Sequence, residues 1–99
     1  MAHFILFYEY VPDYLDRRGA YRDAHVAYIC PWLERGEVVL GGAFANPADG
    51  AAILFRVEEA KRVEAFAASD PYVLNGLVTR WHVREWTTVV GRDAVQPIL

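Results

Sequence analysis

Residues 3–10, HFILFYEY, form an aromatic and aliphatic run with almost no polar interruption. A run so short and so apolar reads as a central strand, and it limits the chain to folds that bury a strand between neighbours. Pro12-Asp13 ends it. From about Asp13 to Arg35 the pattern turns helical, with Leu15, Val26, Ile29 and Leu33 on one stripe and Asp16, Asp23 and Glu34 opposite. Gly36 supplies a helix stop. Pro31 lies inside this segment, so a bend or break is expected there. Residues 38–45 and 51–57 read as two strands joined by a hairpin loop, Asn46-Pro47-Ala48-Asp49-Gly50.

A second helix follows over about Glu58–Ser69, with Ala60, Val63 and Ala67 spaced to meet a sheet. It ends at Asp70-Pro71, because a residue before proline is disfavoured in the helical region. Pro71 then opens a short helical turn that Gly76 closes. Leu77–Val90, rich in Val, Thr and Trp, is the last strand. Residues 91–99 read as a C-terminal arm, loosely held or resting on a partner.

Strand–helix–strand–strand–helix–strand is the ferredoxin-like α+β arrangement, βαββαβ, with a four-stranded antiparallel sheet. The 99 residues make one domain. Both helices cover one sheet face, yet the other face is not polar. In the last strand Leu77, Trp81 and Val83 alternate with Val78 and Trp86. The hydrophobic share is 55%, more than so small a monomer readily buries. Two sheets packed face to face answer this, which predicts a homodimer of the dimeric α+β barrel type, with higher assembly left open.

The formal net charge of −3 and the lack of a basic face argue against nucleic acid and anionic membrane as partners. Arg17-Arg18 and Lys61-Arg62 read as solvated helix faces. Cys30 is the single cysteine, which excludes an internal disulfide, and its place between Ile29 and Pro31 suggests a small core residue. The start, MAHFILFYEY, reads as a strand rather than a secretion signal, and no stretch approaches the ~20 apolar residues of a membrane span. A cytoplasmic protein is the expectation. His3 and His82 have no metal spacing, so no metal site is predicted. No dinucleotide, phosphate-loop, serine-elbow or flavin motif is present, so no cofactor is predicted either.

Arg22 and His25 are the unusual residues of the first helix. At roughly 100° per residue Arg22 falls within the apolar stripe and His25 on its edge, three residues on. One reading is a structural ion pair with a satisfied histidine. The other is general acid–base work, for which imidazole is the suited side chain. Asp70, before Pro71, reads first as an N-cap. A capped carboxylate can also orient an imidazole, and the two roles are compatible. Gly41-Gly42 within an apolar strand suggests a bulge or a close backbone approach. Tyr8, Tyr10, Tyr72 and Trp86 can line a pocket, although strand aromatics more often belong to a core.

Arg22-x-x-His25, Gly36, Gly41-Gly42, Asp70-Pro71-Tyr72-Val73 and Gly76-Leu77, in this order and spacing, resemble the YCII-related (YciI-like) family over nearly the whole chain. The resemblance implies a dimeric α+β barrel with a His–Asp pair, here His25 and Asp70. Arg22 is a further candidate by the same match, and with Tyr72 and Gly42 it makes up the expected substrate-binding set. The family is similar in fold to muconolactone isomerases and cofactor-free monooxygenases, and most members have no assigned reaction. Those with one include a lyase that dehydrochlorinates a chlorinated hydroxyhydroquinone in aromatic degradation. HFILFYEYVPDY and VTRWHVREWTTVVG look like the subgroup containing such enzymes. The expectation is acid–base chemistry, of lyase or isomerase type, on a small hydroxylated cyclic or aromatic substrate, without metal or cofactor. Its alternative is a dimer that binds a small ligand without turnover.

Overall fold

The computed structural model describes all 99 residues. Strand β1 (Ala2–Tyr10) leads into a one-turn helix α1 (Tyr14–Arg17), a 3-10 turn at Arg18–Ala20, and helix α2 (Arg22–Glu34). Strands β2 (Val38–Ala43) and β3 (Gly50–Val57) form a hairpin. Helix α3 (Ala60–Ser69), the single turn α4 (Pro71–Leu74) and β4 (Val78–Trp86) follow. All four strands pair antiparallel in the order β2-β3-β1-β4, so β1 is interior as its apolar sequence demands. This is the expected ferredoxin-like α+β sheet. No helix is long and apolar enough to cross a membrane.

The core lies between the sheet and the helices. Phe4, Leu6 and Tyr8 of β1 alternate inward beside Ile53, Phe55 and Val57 of β3. Helix α3 adds Val63, Phe66 and Ala67. Helix α2 contributes Trp32, whose indole meets Phe55 and Phe66 edge-on. Arg35 and Arg62 lie against the Trp32 ring, and both bind Glu37.

The first helix departs from its sequence reading. It is interrupted between Arg17 and Tyr21, and α2 turns Tyr28 and Trp32 to the core rather than the Leu15/Val26/Leu33 stripe, which is exposed. Tyr28 is fixed there by its hydroxyl, which donates to the Phe66 carbonyl at 2.8 Å. Pro31 does not break α2. The hydrogen bond it removes is the one to the Ala27 carbonyl, and Ala27 lies on the exposed side where water can serve that oxygen. Cys30, on the same outer side, is exposed rather than core. The predicted basic runs are not simply solvated: Arg17 donates to the Asn75 carbonyl and Arg62 to Glu37.

Strand β4 stops at Trp86, earlier than the sequence suggested. The segment beyond folds back on itself, with Gln96 N–H on the Thr88 carbonyl and Ile98 N–H on the Val89 carbonyl. The sheet face away from the helices carries half-buried Ile5, Phe7 and Leu54 and the exposed Trp86, beside Arg56, Arg80 and Arg84.

Candidate active site

Asp70 sits in the break between α3 and α4, with 0% of its surface exposed. Its backbone is extended, Pro71 occupies the first helical position of α4, and the Tyr72 N–H reaches Asp70 Oδ1 at 3.0 Å. That is the N-cap the sequence indicated. Two further groups converge on the same carboxylate. The Tyr8 hydroxyl donates to Oδ2 at 2.6 Å, and His25 Nδ1 lies 2.8 Å from Oδ1. Two of the three partners can only donate here, so the carboxylate is an acceptor and the Nδ1–H tautomer of His25 is assigned from the network. His25 Nε2 makes no hydrogen bond, is not sealed, and belongs to a residue that lines a cavity.

The imidazole is also held by its face. It stacks on the Tyr72 ring at 4.0 Å between centroids and 4° between planes. Tyr72 meets Tyr14 edge-on, Tyr14 stacks on Tyr10 at 3.6 Å, and Tyr10 neighbours Tyr8. These contacts and the two bonds to Asp70 close a ring around the site: His25, Tyr72, Tyr14, Tyr10, Tyr8, Asp70. Burial, with the Asp70 carboxylate beside it, pushes the Tyr8 phenol far up, so it remains a donor. Burial likewise raises Tyr10 and Tyr72.

The cavity measures about 530 Å³, large enough for a single-ring organic molecule. Val26, Ile29 and Leu33 of α2 wall it on one side, opposite Val39 and Leu40 of β2. Arg18 and Arg22 complete its rim. The α2 part of the stripe, Val26, Ile29 and Leu33, is thus cavity wall, whereas Leu15 lies outside it.

Of the residues singled out in the sequence, the structure brings together His25, Asp70 and Tyr72. Arg22 lines the same cavity but is exposed, not set in a buried stripe. Gly42 contributes backbone only. It pairs with Ala52, whose side chain is on the open sheet face, and a Cβ there would meet nothing. Gly41 pairs with inward-facing Ile53, so a side chain at 41 would turn to the cavity side. The irregularity expected near these glycines falls just before them, between Val38 and Leu40. Tyr8 and Tyr10 line the cavity, whereas Trp86 is on the other face of the sheet. The residues sequence reasoning missed are Tyr14 and Arg18, and no local pattern marks either. No three His, Cys, Asp or Glu side chains cluster as metal ligands.

The model of the YCII-related domain matches residues 1–87. The chain belongs to this family. No curated protein matches it. Among solved structures, it is similar to 5-chloro-2-hydroxyhydroquinone dehydrochlorinase (TftG) from Burkholderia phenoliruptrix AC1100, determined in complex with 2,5-dihydroxybenzoquinone. The TM-score is 0.74 at 22% identity, over 87% of this chain and 94% of that one. It is also similar to protein Atu4242 from Agrobacterium tumefaciens, with a TM-score of 0.55 at 16% identity over 96% and 98% of the two chains. These likenesses extend the family's fold to the arrangement seen here.

A histidine anchored through one nitrogen, with the other unbonded on a residue that lines a largely apolar cavity, is equipped to take or give a proton. Asp70 fixes the tautomer and would stabilise an imidazolium.

Proposed function

We propose that this YCII-related protein is a cofactor-independent enzyme of lyase or isomerase type, with His25 as general acid–base on a small hydroxylated cyclic or aromatic substrate. The observation that carries the reading is the division of labour on one imidazole: Nδ1 is tied to a fully buried carboxylate, and Nε2 is left unbonded and unsealed on a residue that lines the cavity. A dehydrochlorinase of the same fold was determined in complex with 2,5-dihydroxybenzoquinone, which supports a substrate of that kind.

For a dehydrochlorination the step balances without a redox partner. Nε2 takes the proton of a ring hydroxyl and returns a proton to the chlorine-bearing carbon, which gives the keto tautomer. A second ring hydroxyl then loses its proton as its electron pair moves through the ring and the carbon–chlorine bond breaks. Chloride leaves as the quinone forms, so HCl is lost overall. Arg22 would stabilise the developing oxyanion, and Tyr72 would keep the imidazole in plane. The apolar side chains Ile5, Phe7, Leu54 and Trp86 on the uncovered sheet face support a face-to-face homodimer, which sedimentation at rising concentration would test.

The deciding experiment runs chlorinated and unchlorinated hydroxyquinones and lactones with wild type and a folded His25→Ala protein, following absorbance and chloride. Turnover that drops at least ~100-fold in the variant is the expected result. No turnover on the panel, with ligands still raising the melting temperature, would replace this reading with a non-catalytic ligand-binding dimer.

A further inference from the structure

Most arginines that carry an ion pair in this protein stand away from the cavity. Arg35 and Arg62 share Glu37, and Arg80 pairs with Glu9. Arg18 and Arg22 are different. Both line the cavity, neither has a carboxylate partner, and no acidic side chain joins them in the lining. Asp70, the nearest acid to the histidine, is sealed and already holds three donors.

A chain of net charge −3 therefore opens this cavity behind two positive charges without a carboxylate partner. Arg18 is held over the Tyr14 ring at 5.7 Å, which orients its guanidinium without consuming its donors. The two charges also act inward: burial raises the Tyr72 phenol, while Arg22 and Arg18 pull it down. Tyr72 is the ring on which His25 stacks. Apolar walls next to such charges focus the field, and a guanidinium binds an oxyanion through paired donors that a neutral group cannot match.

We infer that Arg18 and Arg22 form an oxyanion clamp that selects ring substrates entering as anions. The anionic group, a ring carboxylate or the acidic hydroxyl of a hydroxyquinone, sits at the rim, and the reacting ring position lies deeper, toward His25. This deepens the proposed reading, since it rests on the cavity being the substrate site. It does not need turnover to be tested.

The test is calorimetric binding of charge-matched pairs. 3-Hydroxybenzoate runs against 3-hydroxybenzamide, and 2-hydroxy-1,4-naphthoquinone against its 2-methoxy ether, at low and at raised salt. Each anion is expected to bind at least about 10-fold more tightly than its neutral partner, and the margin narrows with salt. Arg18→Gln/Arg22→Gln should erase the margin, and Arg22→Gln alone, at an exposed position, should reduce it. Arg80→Gln, on the far sheet face, should leave it intact. The two pairs separate carboxylate from hydroxyquinone as the preferred anion. Equal or tighter binding of the neutral partners, a margin that survives the double variant, or no binding by any anion would overturn the clamp. His25→Ala should keep the anion preference while losing turnover, so failure of the clamp and failure of the acid–base reading are separable.

Discussion

Two histidines in this protein are tethered in nearly the same way and end in opposite situations. His25 Nδ1 lies 2.8 Å from Asp70 Oδ1 on the helix-covered side of the sheet, and His3 Nδ1 lies 2.7 Å from Thr88 Oγ1 on the other side. Both tethers join distant parts of the chain to a buried oxygen. The difference is in the second nitrogen. His25 Nε2 is unsealed on a residue that lines the cavity, whereas His3 Nε2 is buried with no partner. The acceptors differ too: a carboxylate with two other donors can support a charged imidazole, and a hydroxyl that already accepts from Val95 N–H supports it poorly. An anchored imidazole is therefore no mark of chemistry by itself. What its free nitrogen faces, and whether its anchor carries charge, separates a working group from a structural one.

The largest effect expected from breaking this contrast is at the anchor. Asp70→Asn keeps an oxygen for the Tyr72 N–H and His25 Nδ1, but it sets an amide against the Tyr8 hydroxyl and removes the negative charge beside the imidazole. Turnover should fall by about 100-fold or more if His25 is the base, and the protein should lose about 1–3 kcal/mol in urea unfolding. Unchanged turnover in the Asn variant would remove Asp70 from the mechanism. Tyr8→Phe is milder. It deletes one donor to Oδ2 and leaves the ring in place, so a stability loss of about 1 kcal/mol is expected. With the carboxylate less firmly held, turnover should drop about 10-fold and KM should change little, because Tyr8 acts through Asp70 and not on substrate. A rise in KM with kcat intact would instead make Tyr8 a binding residue.

The fold was legible because its elements differ in period and are separated by strong breakers. Pro12, Gly36, Asn46-Pro47 and Asp70-Pro71 each fall at an observed boundary or loop. Gly36 and Gly76 both adopt φ of +77°, as the stops require. The face of α2 was not legible. Stripe reading assumes one apolar face, and this helix has two: Tyr28 and Trp32 toward the core, Val26 and Leu33 toward a cavity. Periodicity cannot tell a buried wall from a cavity wall, since both are apolar. Cys30 was misplaced by its apolar neighbours Ile29 and Pro31, since it falls on the outer side of α2. At the site, Asp70 could be read as a cap from Pro71 alone, but its link to Tyr8 spans 62 positions and only the sheet brings them together. Arg18 looked like half of a solvated basic pair, and its place at the cavity depends on the break before α2.

The smallest expected effect sharpens the comparison from the inert side. Burial lowers the pKa of His3 from its ordinary value of 6.5, Arg56 pushes it the same way, and Asp93 opposes them. The unfolded chain therefore takes up a proton before the folded one does. Stability from keeping His3 neutral is fully present above about pH 6.5 and is lost as pH falls toward the folded value. Urea unfolding of wild type between pH 7.5 and pH 5 should show that decline, and His3→Gln should flatten it even if the variant is less stable overall. Turnover of His3→Gln should match wild type throughout, because His3 faces away from the cavity. A slope that persists in the Gln variant would assign the acid sensitivity to another group, and a loss of turnover would mean that the two faces of the sheet are coupled.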